Sequence, residues 1–311
     1  EKFRKDLLDW GFKVGEADPC LYVKSSGQDQ IRVLVFVDDL AIFSDNTPGG
    51  KKLKEDFKEK IKSKYEYSWR PDDHVYLGMA IKRIGNKIIL SQETYIEDVM
   101  IKFGFAESGK VETPSPGGKV TKLDCPDEDP ASNPRAKRYR EMCGVLRWIE
   151  QCTRPDISTT LSELCKVQIN PGDAHVKALH HLMRYINSTK GRCIVYGGEE
   201  TRHADGKIVG YVDSDWAGDP DSQYSRGGFV FMSHQSPVSW SSFKMKAVAA
   251  SSAEAEYMAM SMATREAVWF RALYSDLGYG DLSADTYGDL CDVDYRKVRL
   301  SDKVDPYEQA M

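Results

Sequence analysis

The sequence has no CxxC pair, no apolar run long enough to cross a membrane and no methionine at its start. Seven cysteines, odd in number and without pattern, argue against a disulfide framework and for reduced thiols in an intracellular protein. A membrane-spanning helix needs about 20 consecutive apolar residues, and neither that nor a secretory leader is found. Zinc-type spacing is missing too. His175, His180 and His181 share one predicted helix, where they read as packing or surface residues. The last absence is an excess of positive charge. The net charge is −5, so contact with nucleic acid requires a local basic surface.

What is present is a chain of 311 residues, 41% hydrophobic, with room for two or more soluble domains. Residues 1–10 read as an amphipathic helix, so the chain is expected to begin inside a domain. Residues 31–37 are a continuous valine-rich run, a buried strand, and 40–43 a second. The stretch 51–64 carries seven lysines, with Leu53, Phe57 and Ile61 at helical spacing. Its plain reading is an amphipathic helix with a solvated face; the alternative is nucleic-acid contact through Lys51, Lys52, Lys54 and Lys58. Strands are predicted over 75–81 and 87–90, around a turn at Gly85. Ser91 is placed to cap a helix that turns Ile96, Val99 and Phe103 inward and stops at Gly104.

Five prolines make 113–134 an expected exposed linker. Helices follow over about 139–151, 156–169 and 174–188. Strands are predicted at 208–212, 227–233 and 237–241, then a long helix from about 253 to 277, ending at Gly278. The acidic stretch 281–311 is expected to be poorly ordered.

Two places concentrate carboxylates. Asp38 and Asp39 sit between the first two apolar runs. A hairpin turn is one reading, yet two-residue turns favour Asn-Gly or Asp-Gly because they need positive φ. Adjacent carboxylates also repel. Divalent metal relieves that repulsion, and phosphoryl transfer on nucleic acid uses two such ions; turn and metal site both stay open on the residues alone. Further on, Val209, Tyr211 and Asp213 alternate along a strand and share a face, with Asp215 after them. Ser251 with Glu254 fits a capping box. Glu256 is followed at helical spacing by Ala259, Met260 and Ala263, a small apolar face suited to packing on a sheet. A carboxylate at the head of such a face is costly unless ion-paired or metal-bound, which makes Glu256, not Glu254, the candidate ligand.

Phe36-Val37-Asp38-Asp39 is similar to the tyrosine-valine-aspartate-aspartate box of reverse transcriptases, with Phe36 in place of tyrosine. Asp18-Pro19-Cys20-Leu21-Tyr22, Tyr76-Leu77-Gly78-Met79, Leu90-Ser91-Gln92, Arg154-Pro155-Asp156 and Arg184-Tyr185 add further boxes in matching order. The run 210–218 resembles the first strand of a ribonuclease H, and 251–257 its catalytic-glutamate box. From about Gly11 to Gly278 the chain therefore resembles the carboxy-terminal reverse transcriptase and ribonuclease H region of a copia-type (Pseudoviridae) retrotransposon Pol polyprotein.

The resemblance implies a fold class of α+β and α/β. It places a partial reverse transcriptase palm and the start of the thumb over 1–112, and a linker with helical connection over 113–205. A ribonuclease H-like domain, a mixed sheet with packed helices, would cover 206–290, with a degenerate tail over 291–311. It implies that Asp38 and Asp39 hold the polymerase metals, and that Asp213, Glu256 and Asp289 hold those of the ribonuclease, the ion being Mg2+ or Mn2+. Leu77, Gly78 and Met79 would form the primer grip. RNA template, DNA primer, RNA–DNA hybrid and the rest of the polyprotein would be the partners, with no membrane. The location would be a virus-like particle in the cytoplasm, or the nucleus. Two departures stand out. The family's polymerase uses another aspartate upstream, and neither Asp9 nor Asp18 sits in its context. In the tail, Asp292 follows almost directly on Asp289, where the family sets its last two acids well apart. The expectation is a chain inactive as a polymerase and impaired as a ribonuclease. The alternative is a decayed or domesticated module that holds nucleic acid without cutting it.

Overall fold

The computed structural model describes residues 2–66, 74–127, 129–197, 208–233 and 236–279. Its first sheet joins β1 (Lys13–Val14), β2 (Leu21–Ser26), β3 (Asp29–Phe36) and β4 (Asp39–Ser44) in antiparallel order. Two helices, α1 (Lys2–Asp9) and α2 (Pro48–Lys64), complete this unit. Its core is Leu7, Phe12, Tyr22, Ile31, Val33, Phe57 and Ile61. The helical spacing of Phe57 and Ile61 is thus the buried stripe of α2. Thr47 caps that helix, its hydroxyl accepting from the Gly50 N–H at 2.9 Å, with Pro48 in the first turn.

The second sheet orders β5 (His74–Tyr76), β6 (Met79–Ile84), β7 (Lys87–Ser91) and β8 (Ile194–Tyr196). The single strand predicted over 75–81 is instead broken at Leu77-Gly78. Both residues have positive φ, 53° and 75°, and they link the paired Tyr76 and Met79. That is the tight turn whose twist suits antiparallel strands. Gln92, not Ser91, occupies the N-cap position of α3 (Glu93–Phe103), and the Ser91 hydroxyl accepts from the Glu93 N–H at 3.2 Å. Gly104 ends the helix at φ 81°.

Helix α3 shares one core with α4 (Ala136–Thr153), α5 (Ser158–Cys165) and α6 (Asp173–Ser188). Ile96, Tyr139, Leu146, Ile149, Leu161, Leu179 and Leu182 meet there. The segment 113–134 is largely exposed, as expected of a linker, but it is pinned along its length. Asp221 accepts from the Thr121 hydroxyl (2.7 Å) and the Lys122 N–H (2.8 Å). His175 Nε2 meets the Thr121 carbonyl at 2.8 Å, and Asn170 donates to the Pro126 carbonyl. Short turns at 122–124 and 130–132 satisfy part of its polar backbone, and neighbouring side chains take up more of it.

The third sheet is an antiparallel meander of β9 (Ile208–Asp215), β10 (Arg226–Ser233) and β11 (Ser236–Lys244), ordered β11-β10-β9. Helix α7 (Ser252–Asp276) packs on one face through Ala255, Ala259, Ala267 and Phe270. Close approach explains the small residues: a Cβ on Gly227 would come within 3.3 Å of Ala259. The other face meets the helical region, where Arg226 pairs with Glu163 of α5 and Trp240 donates to the Glu150 carbonyl. All pairings among the described strands are antiparallel. The architecture is a mixture of helix and sheet of the α+β kind. The expected tail, 291–311, lies outside the described residues.

The far end of α7 reaches back to the first sheet. Both backbone groups of Ala17 are taken by it: the N–H donates to Asp276 (2.8 Å) and the carbonyl accepts from the Trp269 indole (3.1 Å). Arg32 of β3 donates to the Leu277 carbonyl and lies over the Tyr279 ring.

Arg154, Asp156 and Tyr185 form a largely buried knot between the start of α5 and the end of α6, with the exposed Arg192 at its rim. Arg154 is 1% exposed. It grips Asp156 with two bonds, 2.9 and 2.7 Å, and donates to the carbonyl and hydroxyl of Thr189. The Tyr185 hydroxyl donates to Asp156 at 2.7 Å and accepts from Arg192. Burial pushes the Asp156 carboxyl up, but the bonds and charge of Arg154, then Tyr185 and Arg192, outweigh it and hold the group below its ordinary value. Burial and Asp156 push the Tyr185 phenol up to about 12. Breaking such a pair strands a buried charge, so Arg154→Ala is expected to destabilise by about 3–5 kcal/mol in urea unfolding. Because the folded pKa of Asp156 lies below its unfolded value, its contribution is complete above the unfolded pKa of about 3.9 and lost as pH falls through the folded one. Asp156→Asn should flatten that part of the acid limb.

Candidate active sites

The first acidic pair lies at the tip of a hairpin. Phe36 pairs with Asp39, so the two-residue turn is Val37-Asp38. Asp-Asp is therefore not the turn, and the objection to it as one does not apply: Asp38 is in the turn and Asp39 begins β4. Val37 has φ 51° and is 82% exposed. A β-branched residue in the left-handed region is a genuine outlier. Such strain concentrates at sites that need a fixed display of neighbouring groups. Phe36, Asp38 and Asp39 are all exposed beside it. Asp39 also has a neighbour in the next sheet. The Tyr76 phenol is pushed up by burial first, then by the charges of Asp39, Cys20 and Asp18. Tyr76, at the end of β5, is thus within electrostatic range of Asp39 and Asp18.

The Leu77-Gly78 turn packs toward the helical region. A Cβ on Gly78 would lie 3.4 Å from the Trp148 indole nitrogen and 3.8 Å from Tyr95. Met79, the first residue of β6, is partly buried beside it. On α2, Lys51 and Lys52 are exposed, Lys54 and Lys58 partly so. Lys58 is paired with Glu55 at 2.7 Å.

The second acidic site lies where β9 meets the start of α7. Ser251 caps that helix by accepting from the Glu254 N–H, and Glu254 reaches back to the Ala250 N–H at 2.7 Å. Glu254 is a capping residue, as the spacing predicts. Glu256 sits on the side of α7 that meets the sheet. The Ser214 hydroxyl donates to one of its oxygens at 2.7 Å, while the other is buried with no hydrogen-bond partner. Ser214 was invisible as a partner until the strand's phase was known. Ile208 and Val212 face α7, so the even-numbered residues of β9 do. By the same alternation Asp213, exposed and paired with Gly228, belongs to the opposite face. Trp216 follows, half exposed, its indole donating to the Ala249 carbonyl. Asp289 lies outside the described residues.

Among the described residues no three His, Cys, Asp or Glu side chains come together as a metal site. The orphaned Glu256 oxygen suits a cation, but Asp213 does not join it there. The described residues do not by themselves complete a divalent-metal cage at either acidic site.

Comparison with known proteins bears on the family of the chain. Residues 1–116 match a family described as reverse transcriptase (RNA-dependent DNA polymerase). The chain is 34% identical over 267 residues to the retrovirus-related Pol polyprotein from transposon TNT 1-94 of Nicotiana tabacum, covering 84% of this chain and 19% of that one. It is 32% identical over 285 residues to the Pol polyprotein from transposon RE1 of Arabidopsis thaliana, covering 89% and 18%. It is also 42% identical over 131 residues to the secreted RxLR effector protein 161 of Plasmopara viticola, covering 42% of this chain and 89% of that protein. The chain thus spans about a fifth of the length of the two polyproteins. No solved structure matches it.

The turn at Val37 gives a direct test. Left-handed backbone costs an L-residue roughly 1–2 kcal/mol, and glycine loses about 0.5–1 kcal/mol through chain entropy. Val37→Gly gives up no burial, so it should stabilise by up to about 1 kcal/mol in urea unfolding. Val37→Ala, which keeps its Cβ, should not match it.

Proposed function

Because the chain belongs to the copia-type retrotransposon Pol polyproteins, as part of their reverse transcriptase region, we propose that it engages template, primer and RNA–DNA hybrid as a nucleic-acid-handling segment of that polyprotein. Alone, it is inactive as a polymerase and impaired as a ribonuclease. The observation that carries this reading is the arrangement of acids. Asp38 and Asp39 stand on a strained, exposed hairpin, but no third ligand groups with them among the described residues. Reverse transcriptases generally use divalent metals, and in-line phosphoryl transfer needs its ions held by several carboxylates. Two adjacent aspartates do not hold both ions and a nucleotide.

At the second site Glu256 is the residue most suited to a ligand's role, since one carboxylate oxygen is buried and unpaired. Ser214 orients the other. Asp213 and Asp289 are the further ligands implied by family resemblance. The alternative, a module that holds hybrid without cutting it, is favoured by the direction of Asp213 away from α7. Location in a virus-like particle, cytoplasmic or nuclear, is part of the same proposal.

Two assays test the reading. Primer extension on poly(rA)/oligo(dT) should give no product above an Asp38→Asn control; template-dependent synthesis would overturn it. Cleavage of a labelled RNA–DNA hybrid with Mg2+ or Mn2+ should be weak or absent. Any cleavage found should be abolished by Asp213→Asn and by Glu256→Gln, and should survive Glu254→Gln. Cleavage that persists in Glu256→Gln would remove Glu256 from the site, and brisk cleavage by the intact chain would refute the impairment.

A further inference from the structure

A chain of net charge −5 that handles nucleic acid needs a place where cations gather, and α2 is poorly suited. Lys58 is engaged by Glu55, Lys64 by Asp6, and Lys60 and Lys64 lie over the Trp10 ring. The helical region offers more. Lys102 and Arg138 flank the Phe103 ring at 5.3 and 5.9 Å, and Arg138 donates to the Phe103 carbonyl at the end of α3. Arg184 of α6 lies close by. After burial, Arg138 and Arg184 are the charges that lower the His180 pKa, and the His180 ring meets Phe105 edge-on. Lys137 and Arg140, further round α4, line an open cleft with Asn133, Ile169 and one acid, Asp129, with which neither forms an ion pair.

None of Lys102, Lys137, Arg138, Arg140 and Arg184 is paired with a carboxylate in the described structure, whereas Arg32, Arg147, Arg154, Lys166 and Arg226 all are. The acids within helical reach, Asp98 and Glu141, are exposed and form no ion pair with them. Unpaired like charges drawn from three helices repel one another, and a polyanion lying across them removes that repulsion. The array is spread over a surface rather than folded into a pocket. That suits a row of phosphates better than a single one.

We propose that Lys102, Lys137, Arg138, Arg140 and Arg184 form a face on the helical region that takes the phosphate backbone of a nucleic-acid duplex. The proposal rests on the reading that the chain engages nucleic acid, and it assigns that contact to α3, α4 and α6 rather than to α2.

Anisotropy of a labelled RNA–DNA hybrid, titrated between about 50 and 200 mM salt, tests it. Each phosphate contact contributes about 0.9 to the slope of log affinity against log salt. Replacing all five cations with glutamine should reduce that slope by about 4.5 and weaken binding at least roughly tenfold. The charge-keeping Arg138→Lys, Arg140→Lys, Arg184→Lys variant should bind within about twofold of wild type. Should the glutamine variant fail to fold by circular dichroism, Lys102→Gln, Lys137→Gln, Arg140→Gln takes its place, since none of these three side chains makes a hydrogen bond in the structure. A variant slope equal to that of wild type overturns the proposed face and leaves the polyprotein reading standing. Wild type that binds neither hybrid nor duplex DNA overturns that reading and the face with it. Wild type that binds phosphatidylserine vesicles through these cations, but no duplex, overturns the face in favour of a membrane surface.

Discussion

The buried grip of Arg154 on Asp156 is the constraint on which the middle of the molecule depends. A fully buried guanidinium is tolerable only when its donors are satisfied, and Arg154 uses Asp156 in the turn just before α5 and Thr189 at the end of α6. Those bonds fix where one helix starts against where another stops. The core of α3, α4, α5 and α6 closes around that geometry, and β8, just beyond α6, can then join β7. The turn at Leu77-Gly78 leans on the same region through Trp148 and Tyr95. A second buried charge extends the arrangement. Asp219 is enclosed by Lys166 (2.6 Å), Lys244 (2.7 Å) and Ser222. Burial pushes its carboxyl up, but those bonds hold it well below the ordinary carboxylate range. Helix α5 and the third sheet are thereby tied by charge rather than by apolar area alone.

Periodicity made most elements readable in advance. Phe57 and Ile61 on α2, Ile96 and Phe103 on α3, and the alanine face of α7 are where spacing puts them. The misreadings share a cause. Leu77-Gly78 interrupts an apolar run with no polar signal, because a turn defined by positive φ does not require polar residues. Val37 is a still harder case, since valine argues against the conformation it adopts. The prolines of 113–134 correctly signal an irregular segment, but the bonds that pin it come from Asn170, His175 and Asp221, distant in sequence.

The acidic sites were legible as residues and not as arrangements. Glu256 stood out because a carboxylate heads a small apolar face; among the described residues it meets the Ser214 hydroxyl and no cation. The face of Asp213 depends on which half of β9 meets α7, and alternation alone leaves that choice open. Arg154 and Asp156 were visible only as sequence marks. Their three-residue motif reads as a helix start, and nothing local says that the arginine turns inward.

Helix α7 joins the third sheet to the loop before β2. Glu256 is near its start, and Asp276, at its end, holds Ala17, the residue before Asp18. Twenty residues of α-helix make a strut of about 30 Å. A straight rod cannot shorten without breaking its own hydrogen bonds. A displacement at the sheet end of α7 would therefore be passed on undiminished to the loop before β2, as through a lever.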